Sequence, residues 1–151
     1  MKEFKSFGAL AKALKRNVNE LKIGMATAME ISAIAVTGEA KSIIGHYQRD
    51  NMGGSEPWAE LKDSTKADRL AKGYSENDPL LRSGELWESI QFEASGNEFI
   101  VGSDDPISLY QELGTPRIPP RPFLAPALYR NIPTIMHNIG EAIEKSLAGE
   151  I

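Results

Sequence analysis

Four of the chain's nine prolines fall between Gly114 and Phe123, in the run Gly114-Thr115-Pro116-Arg117-Ile118-Pro119-Pro120-Arg121-Pro122-Phe123. Each proline lacks a backbone donor and pushes its predecessor out of the helical region, so the run can be neither helix nor central strand. It therefore divides the chain into a longer part before it and a C-terminal segment after it. A connector held this stiffly is suited to presenting side chains, and Arg117 and Arg121 stand on it.

The 151 residues are about one domain's worth of chain, enough to bury a sizeable core. We read residues 1–151 as a single domain: a helical lead-in over 1–50, an α+β core over 58–130 and a C-terminal helix over 131–151. A net charge of −4 with 25% charged residues lacks the basic excess of a nucleic-acid binder, and no sequence-specific nucleic acid is expected as a partner. Charge is uneven, however. Residues 1–50 hold eight Lys/Arg against five Asp/Glu, and residues 51–100 hold five against ten. Ends of opposite sign favour head-to-tail association. The absence of cysteine rules out disulfides and thiolate metal sites and fits a reducing cytoplasm. The N-terminus alternates lysine with apolar residues and shows no leader-like apolar core. The most apolar stretch, Ile23 to Val36, contains Glu30 and is shorter than the ~20 residues a bilayer requires, so a soluble intracellular product with no membrane partner is expected.

Phe4, Phe7, Ala11, Leu14, Val18 and Leu21 recur at three-four spacing, which predicts a helix over residues 2–23 with one apolar stripe. Asn17 with Glu20 could open a second helix as a capping box, so two helices or one bent helix fit equally. Met25 to Tyr47 predicts a long, largely buried helix packed on the domain's own sheet. Residues 49–57 form a loop, Trp58 to about Lys72 a helix stopped by Gly73, and 73–79 a second linker. Ser83 is placed to cap a one-turn helix. Gln91–Ser95 and Glu98–Gly102 around Gly96-Asn97 predict a β-hairpin, with a third strand over Leu109–Leu113. Phe123 to Leu147 predicts an amphipathic helix interrupted or kinked at Pro133. The expected class is α+β, with long N-terminal helices and a C-terminal helix packed on a small antiparallel sheet. Its expected core anchors are Trp58, Leu61, Leu81, Leu86, Trp87, Ile90, Val101 and Leu124.

Catalytic and ligand motifs are sparse. His46 and His137 stand alone, outside the spacing that places two ligands on one helix face. Asp104-Asp105 reads as a turn rather than a calcium loop, which needs ligands at alternating positions. No nucleophile elbow, phosphate loop or dinucleotide fingerprint occurs, and Ser83 has no histidine near it in sequence. Glu112, at the end of the expected third strand, faces Arg117 and Arg121 across the proline run. A charge-assisted hydrogen bond within the loop, or to a neighbouring subunit, would fix the loop's path. The expected interface residues are Glu112, Thr115, Arg117, Arg121 and Phe123. No enzymatic activity, metal or cofactor is expected.

Over residues 58–130 the chain resembles the tail-completion or neck proteins of tailed bacteriophages, a group that includes the virion morphogenesis proteins of Mu-like phages and their siphophage relatives. The residues that carry the resemblance are Trp58, Leu61 and Thr65-Lys66; Leu81, Ser83-Gly84, Leu86 and Ser89-Ile90; Val101-Gly102; then Glu112-Leu113-Gly114-Thr115 followed by Pro120-Arg121-Pro122-Phe123-Leu124 and Pro126-Ala127. Ile107-Ser108 stand where that family usually has Tyr-Ala. The resemblance implies a non-enzymatic structural subunit of the virion tail or neck, made in the host cytoplasm. Such a subunit completes or terminates the tail, assembles as a ring, typically hexameric, and contacts the tail tube protein and the head connector. The alternative reading is a non-viral module that binds a peptide or protein with the 112–123 loop.

Overall fold

A computed structural model describes residues 4–49 and 56–148. The elements are α1 (Phe7–Ile43), α2 (Asp63–Ala71), α3 (Glu85–Ser89), β1 (Ile90–Ser95), β2 (Glu98–Ser103), α4 (Pro106–Leu113) and α5 (Leu124–Ala148). Together they make an α+β fold with a long N-terminal helix, a C-terminal helix packed along it, and a two-stranded antiparallel sheet that lies on the N-terminal helix.

The N-terminal pattern makes one helix. Ser6 caps it by accepting the Ala9 N–H at 3.1 Å, and Asn17 and Glu20 lie in its interior rather than at a second start. At 37 residues α1 is roughly 55 Å long. Its stripe runs at three-four steps through Phe7, Ala11, Leu14, Val18, Leu21, Met25, Met29, Ser32, Val36, Ala40 and Ile43, apolar at every step but Ser32. From Ala28 onward the stripe is buried. Val36, Ala40 and Ile43 join Ile44, Trp58, Leu86, Ile90, Phe123 and Ala127 in the main core, while Ala28 and Met29 meet Ala142 in a smaller cluster. By length and composition α1 is also apolar enough to cross a membrane.

The hairpin lies on α1. Its register pairs Ile90 with Ser103 and Ser95 with Glu98, leaving Gly96-Asn97 as a two-residue turn with Gly96 at φ 61°. Because side chains alternate, Ile90, Phe92, Ala94, Phe99 and Val101 share the face toward α1, and Gln91, Glu93, Glu98 and Ile100 share the other. Helix α5 runs antiparallel to α1, joined by Arg130 to Glu39 at 2.8 Å and by Asn138 Nδ2 to Ser32 Oγ at 3.1 Å. It passes through Pro133 as one element, and its buried residues Pro126, Ala127, Ala142 and Ser146 mark the contact face.

Three local expectations are corrected. The expected third strand over Leu109–Leu113 is part of α4. Asp105 caps that helix, its Oδ1 accepting the Ile107 N–H at 2.9 Å, and Pro106 occupies the first helical turn, where a missing N–H costs nothing. The helix expected from Trp58 begins only at Asp63. Upstream, tertiary partners take the backbone groups: Gln48 O accepts the Trp58 N–H at 2.9 Å, and Tyr47 Oη accepts the Leu61 N–H at 3.0 Å. Trp87, expected in the core, is 44% exposed, with Lys41 Nζ 4.4 Å from its ring centroid. Of the other expected anchors, Trp58, Leu86 and Ile90 are buried in the core, and Leu81, Val101 and Leu124 pack partly buried against it. Leu61 is half-buried outside that cluster.

Candidate functional site

The proline run is built almost entirely on contacts within the chain. Gly114 ends α4 at φ 75°, and a Cβ there would sit 3.0 Å from Pro120 N and 3.1 Å from Ile118 O. Only glycine accommodates both the backbone angle and the close approach. Thr115 then closes a tight turn. Its N–H donates to Ile118 O at 2.8 Å, and its Oγ1 accepts the N–H groups of Arg117 and Ile118 at 3.2 and 3.0 Å. Arg117 is left at the exposed tip.

Glu112 does not pair with either arginine of the run. Its carboxylate accepts the N–H groups of Phe123 and Leu124 through Oε2, at 2.8 and 3.0 Å, and that of Ala125 through Oε1 at 2.9 Å. Helix α5 begins at these residues, and the next position, Pro126, has no N–H to satisfy. One side chain on α4 therefore takes up the unpaired donors at the start of α5 and sets a negative charge at the positive end of the helix dipole. The expectation of a charge-assisted bond that fixes the loop's path stands in its chemistry. Its partner is corrected from guanidinium to helix terminus.

Arg121 and Phe123, expected at an interface, are internal. Phe123 is fully buried in the main core. Arg121 is 5% exposed; its Nη2 donates to Ala59 O and Glu60 O at 2.8 and 3.3 Å, and its Nε to Ala59 O at 3.2 Å. An interior position suits a flat group with several fixed donors, which can satisfy two consecutive carbonyls of an extended segment at once. Burial lowers the pKa of this guanidinium from its ordinary value.

A second buried arginine mirrors it. Arg69 on α2 sends Nη1 to Asp78 O at 2.7 Å, Leu81 O at 3.1 Å and Ser75 O at 3.5 Å, and burial lowers its pKa as well. Between two of these carbonyls lies Leu80, the one non-glycine residue among those described with a left-handed backbone, at φ 64°. Such a conformation costs on the order of 1–3 kcal/mol and persists where its surroundings hold it. Nothing in the local sequence distinguishes Arg69 from the surface charges of an amphipathic helix, so only the fold reveals it. Tyr47 completes this region, its hydroxyl donating to Asn77 Oδ1 at 2.7 Å while it accepts the Leu61 N–H.

Between the 59–86 segment and the α4–proline-loop segment opens a cleft of about 790 Å³. Arg69, Arg82, Arg117 and Arg121 border it, together with Tyr74, Gln111, Ile118 and Pro119. The Oε1 atom of Gln111 is buried without a hydrogen-bond partner. His46 and His137 are both exposed, and Ser83 is engaged with Glu85 at 2.9 Å. Among the described residues, no three His, Asp or Glu side chains group in a way that could hold a metal ion.

The other prominent surface is apolar. Phe7 (86% exposed), Leu14, Val18 and Ile23 project from α1, Leu109 and Leu113 from α4, and Leu128, Ile132, Met136 and Leu147 from α5. Comparison with known proteins returned no matching family model, curated protein or solved structure.

Proposed function

We propose that the chain is a structural virion protein of a tailed bacteriophage, which completes or terminates the tail and joins it to the head connector as a homo-oligomeric ring on a hexameric plan. The observation that carries this reading is the amount of large apolar side chain a single copy leaves uncovered, arranged in stripes along α1, α4 and α5. Scattered exposed apolar residues are ordinary on a monomer, whereas contiguous stripes mark surfaces that associate. The succession of motifs ending in Glu112-Leu113-Gly114-Thr115 and Pro120-Arg121-Pro122-Phe123-Leu124 supports the assignment to the tail or neck. In this reading the run is a brace that locks α4 to α5, and Arg117 is the member of the run free to meet a neighbour. The partners are further copies of the chain, the tail tube protein and the head connector, met in the host cytoplasm during assembly.

The experiment is electron microscopy of particles made without this gene. Unjoined heads and tails, or tails of uncontrolled length, are expected. Joined particles with tails of normal length and full infectivity would overturn the proposal. The cleft beside the proline run favours a second reading, a peptide- or protein-binding module outside any virion. That reading expects a monomer at every concentration and loss of the bound peptide when Arg117→Glu reverses charge at the cleft's rim.

A further inference from the structure

The apolar stripe of α1 is continuous, but what covers it is not. Over Ala28 to Ile43 the stripe is buried against the hairpin and α5, whereas between Phe7 and Thr27 no residue of the helix is buried. Helices in proteins owe most of their stability to packing of such a face. The N-terminal half, about 18 residues and roughly 27 Å of helix, is half-buried along Leu10, Ala13, Asn17 and Leu21, but among the described residues nothing covers the part of the stripe formed by Phe7, Leu14 and Val18, which are 86%, 56% and 52% exposed.

Charge says what belongs there. Lys15 and Lys22 border the stripe, Lys12 and Arg16 stand on the same half of the helix and Lys5 just before it, with Glu20 the single acid between Phe4 and Thr27. The opposite composition occurs over residues 83–113, where Glu85, Glu88, Glu93, Glu98, Asp104, Asp105 and Glu112 are found without one lysine or arginine. On the outward face of the hairpin, Glu93 and Glu98 flank Ile100, which is 69% exposed. That surface is an apolar centre in an acidic frame. The arm is an apolar stripe with a basic border.

We infer that the N-terminal half of α1 docks on the outward, acid-framed face of the β1–β2 hairpin of a second copy of the chain. The chain's own hairpin cannot take the arm, because α1 is unbroken and the hairpin's outward face is turned away from it. Arm against arm would set Lys15 and Lys22 among like charges. The contact is heterologous, each copy offering an arm to one neighbour and a hairpin to another, and such contacts close into a ring when the rotation allows. This inference rests on the proposed self-assembly and names the surfaces that carry it, without depending on the virion role.

The test is sedimentation velocity of the full chain across concentration and salt, with two charge-reversed variants, Lys15→Glu with Lys22→Glu and Glu93→Lys with Glu98→Lys. All four positions are exposed, and unchanged far-UV circular dichroism confirms folding. The wild type is expected to form oligomers that salt weakens. Each variant is expected to associate about a hundredfold more weakly, as like charges then face each other. The four-site variant, with both partners reversed, is expected to recover the oligomer. The natural chain has no cysteine, so a Val18→Cys, Ile100→Cys chain should give a ladder of cross-linked oligomers on oxidation, and Val18→Cys alone no dimer. Variants that associate like the wild type would overturn the arm contact while leaving self-assembly in place. A wild type that stays monomeric at every concentration would overturn both, leaving the virion role to the particle phenotype. Dimers from Val18→Cys alone would overturn the inference in favour of paired arms. Binding to phosphatidylserine vesicles through Lys15 and Lys22, without self-association, would overturn it in favour of a membrane surface.

Discussion

The two halves of α1 carry one pattern and meet two fates. From Met29 to Ile43 the stripe lies under the hairpin and α5, and from Phe7 to Val18 the same three-four spacing of apolar residues is exposed. Amphipathicity therefore marks a face that requires cover, and it does not say whose chain supplies the cover. The same lesson holds for charge. Glu112 and Arg121, which look like surface contacts on a rigid loop, are used inside the subunit on backbone groups, whereas Lys15 and Lys22, which look like ordinary solvated charges, border the uncovered stripe.

The comparison breaks most visibly at Ile43. Truncation to Ala removes a side chain buried in the main core and is expected to cost about 2–5 kcal/mol, read as a lower midpoint in urea. Glu112→Ala comes next, because it strands three N–H groups at the start of α5. A loss of about 1–3 kcal/mol is expected, and Glu112→Gln, which keeps an accepting oxygen, should lose less. If both Glu112 variants melt like the wild type, the brace between α4 and α5 has no energetic weight.

A smaller effect concerns pH. The hydrogen bond from Lys72 lowers the pKa of Asp68, and Arg82 adds to the shift. A carboxylate with a depressed folded pKa contributes stability above its unfolded pKa and loses it as pH falls through the folded value. Asp68→Asn should therefore melt slightly below the wild type at neutral pH and converge with it in acid. The Asp68 side chain keeps 44% of its surface in solvent, where screening leaves ion pairs weak, so a large gap at neutral pH would refute this account. The smallest effect is expected at Leu14, on the uncovered half. Leu14→Ala should change monomer stability by no more than about 0.5 kcal/mol while weakening self-association. A monomer destabilised as strongly as by Ile43→Ala would mean that the arm packs on its own chain.

Much of the fold was legible along the chain. The stripes of α1 and α5 and the hairpin around Gly96-Asn97 follow from periodicity and turn chemistry, which act over a few residues; the short helix after Ser83 is there too, but its cap is Gly84 and not Ser83 as expected. Helix α4 has a local signal as well, since Asp105-Pro106 is a cap followed by an N-terminal proline and Leu109 and Leu113 stand one helical turn apart, although the short apolar segment reads as a strand. The late start of α2 was not legible. Its upstream carbonyls are bonded by Arg121, some sixty residues away in the chain, and no local signal records that bond.

By itself, then, the sequence determines where the backbone can be helical, where Gly114 and the prolines forbid regular structure, and that acidic and basic residues are segregated along the chain. Only the tertiary structure decides that Arg69 and Arg121 are interior groups, that Glu112 caps α5, and that the Phe7–Val18 part of the α1 stripe is uncovered among the described residues. The reason is one of range. Backbone preference and periodicity are fixed by neighbouring residues, while burial and hydrogen-bond partnership depend on which distant segments the fold brings together.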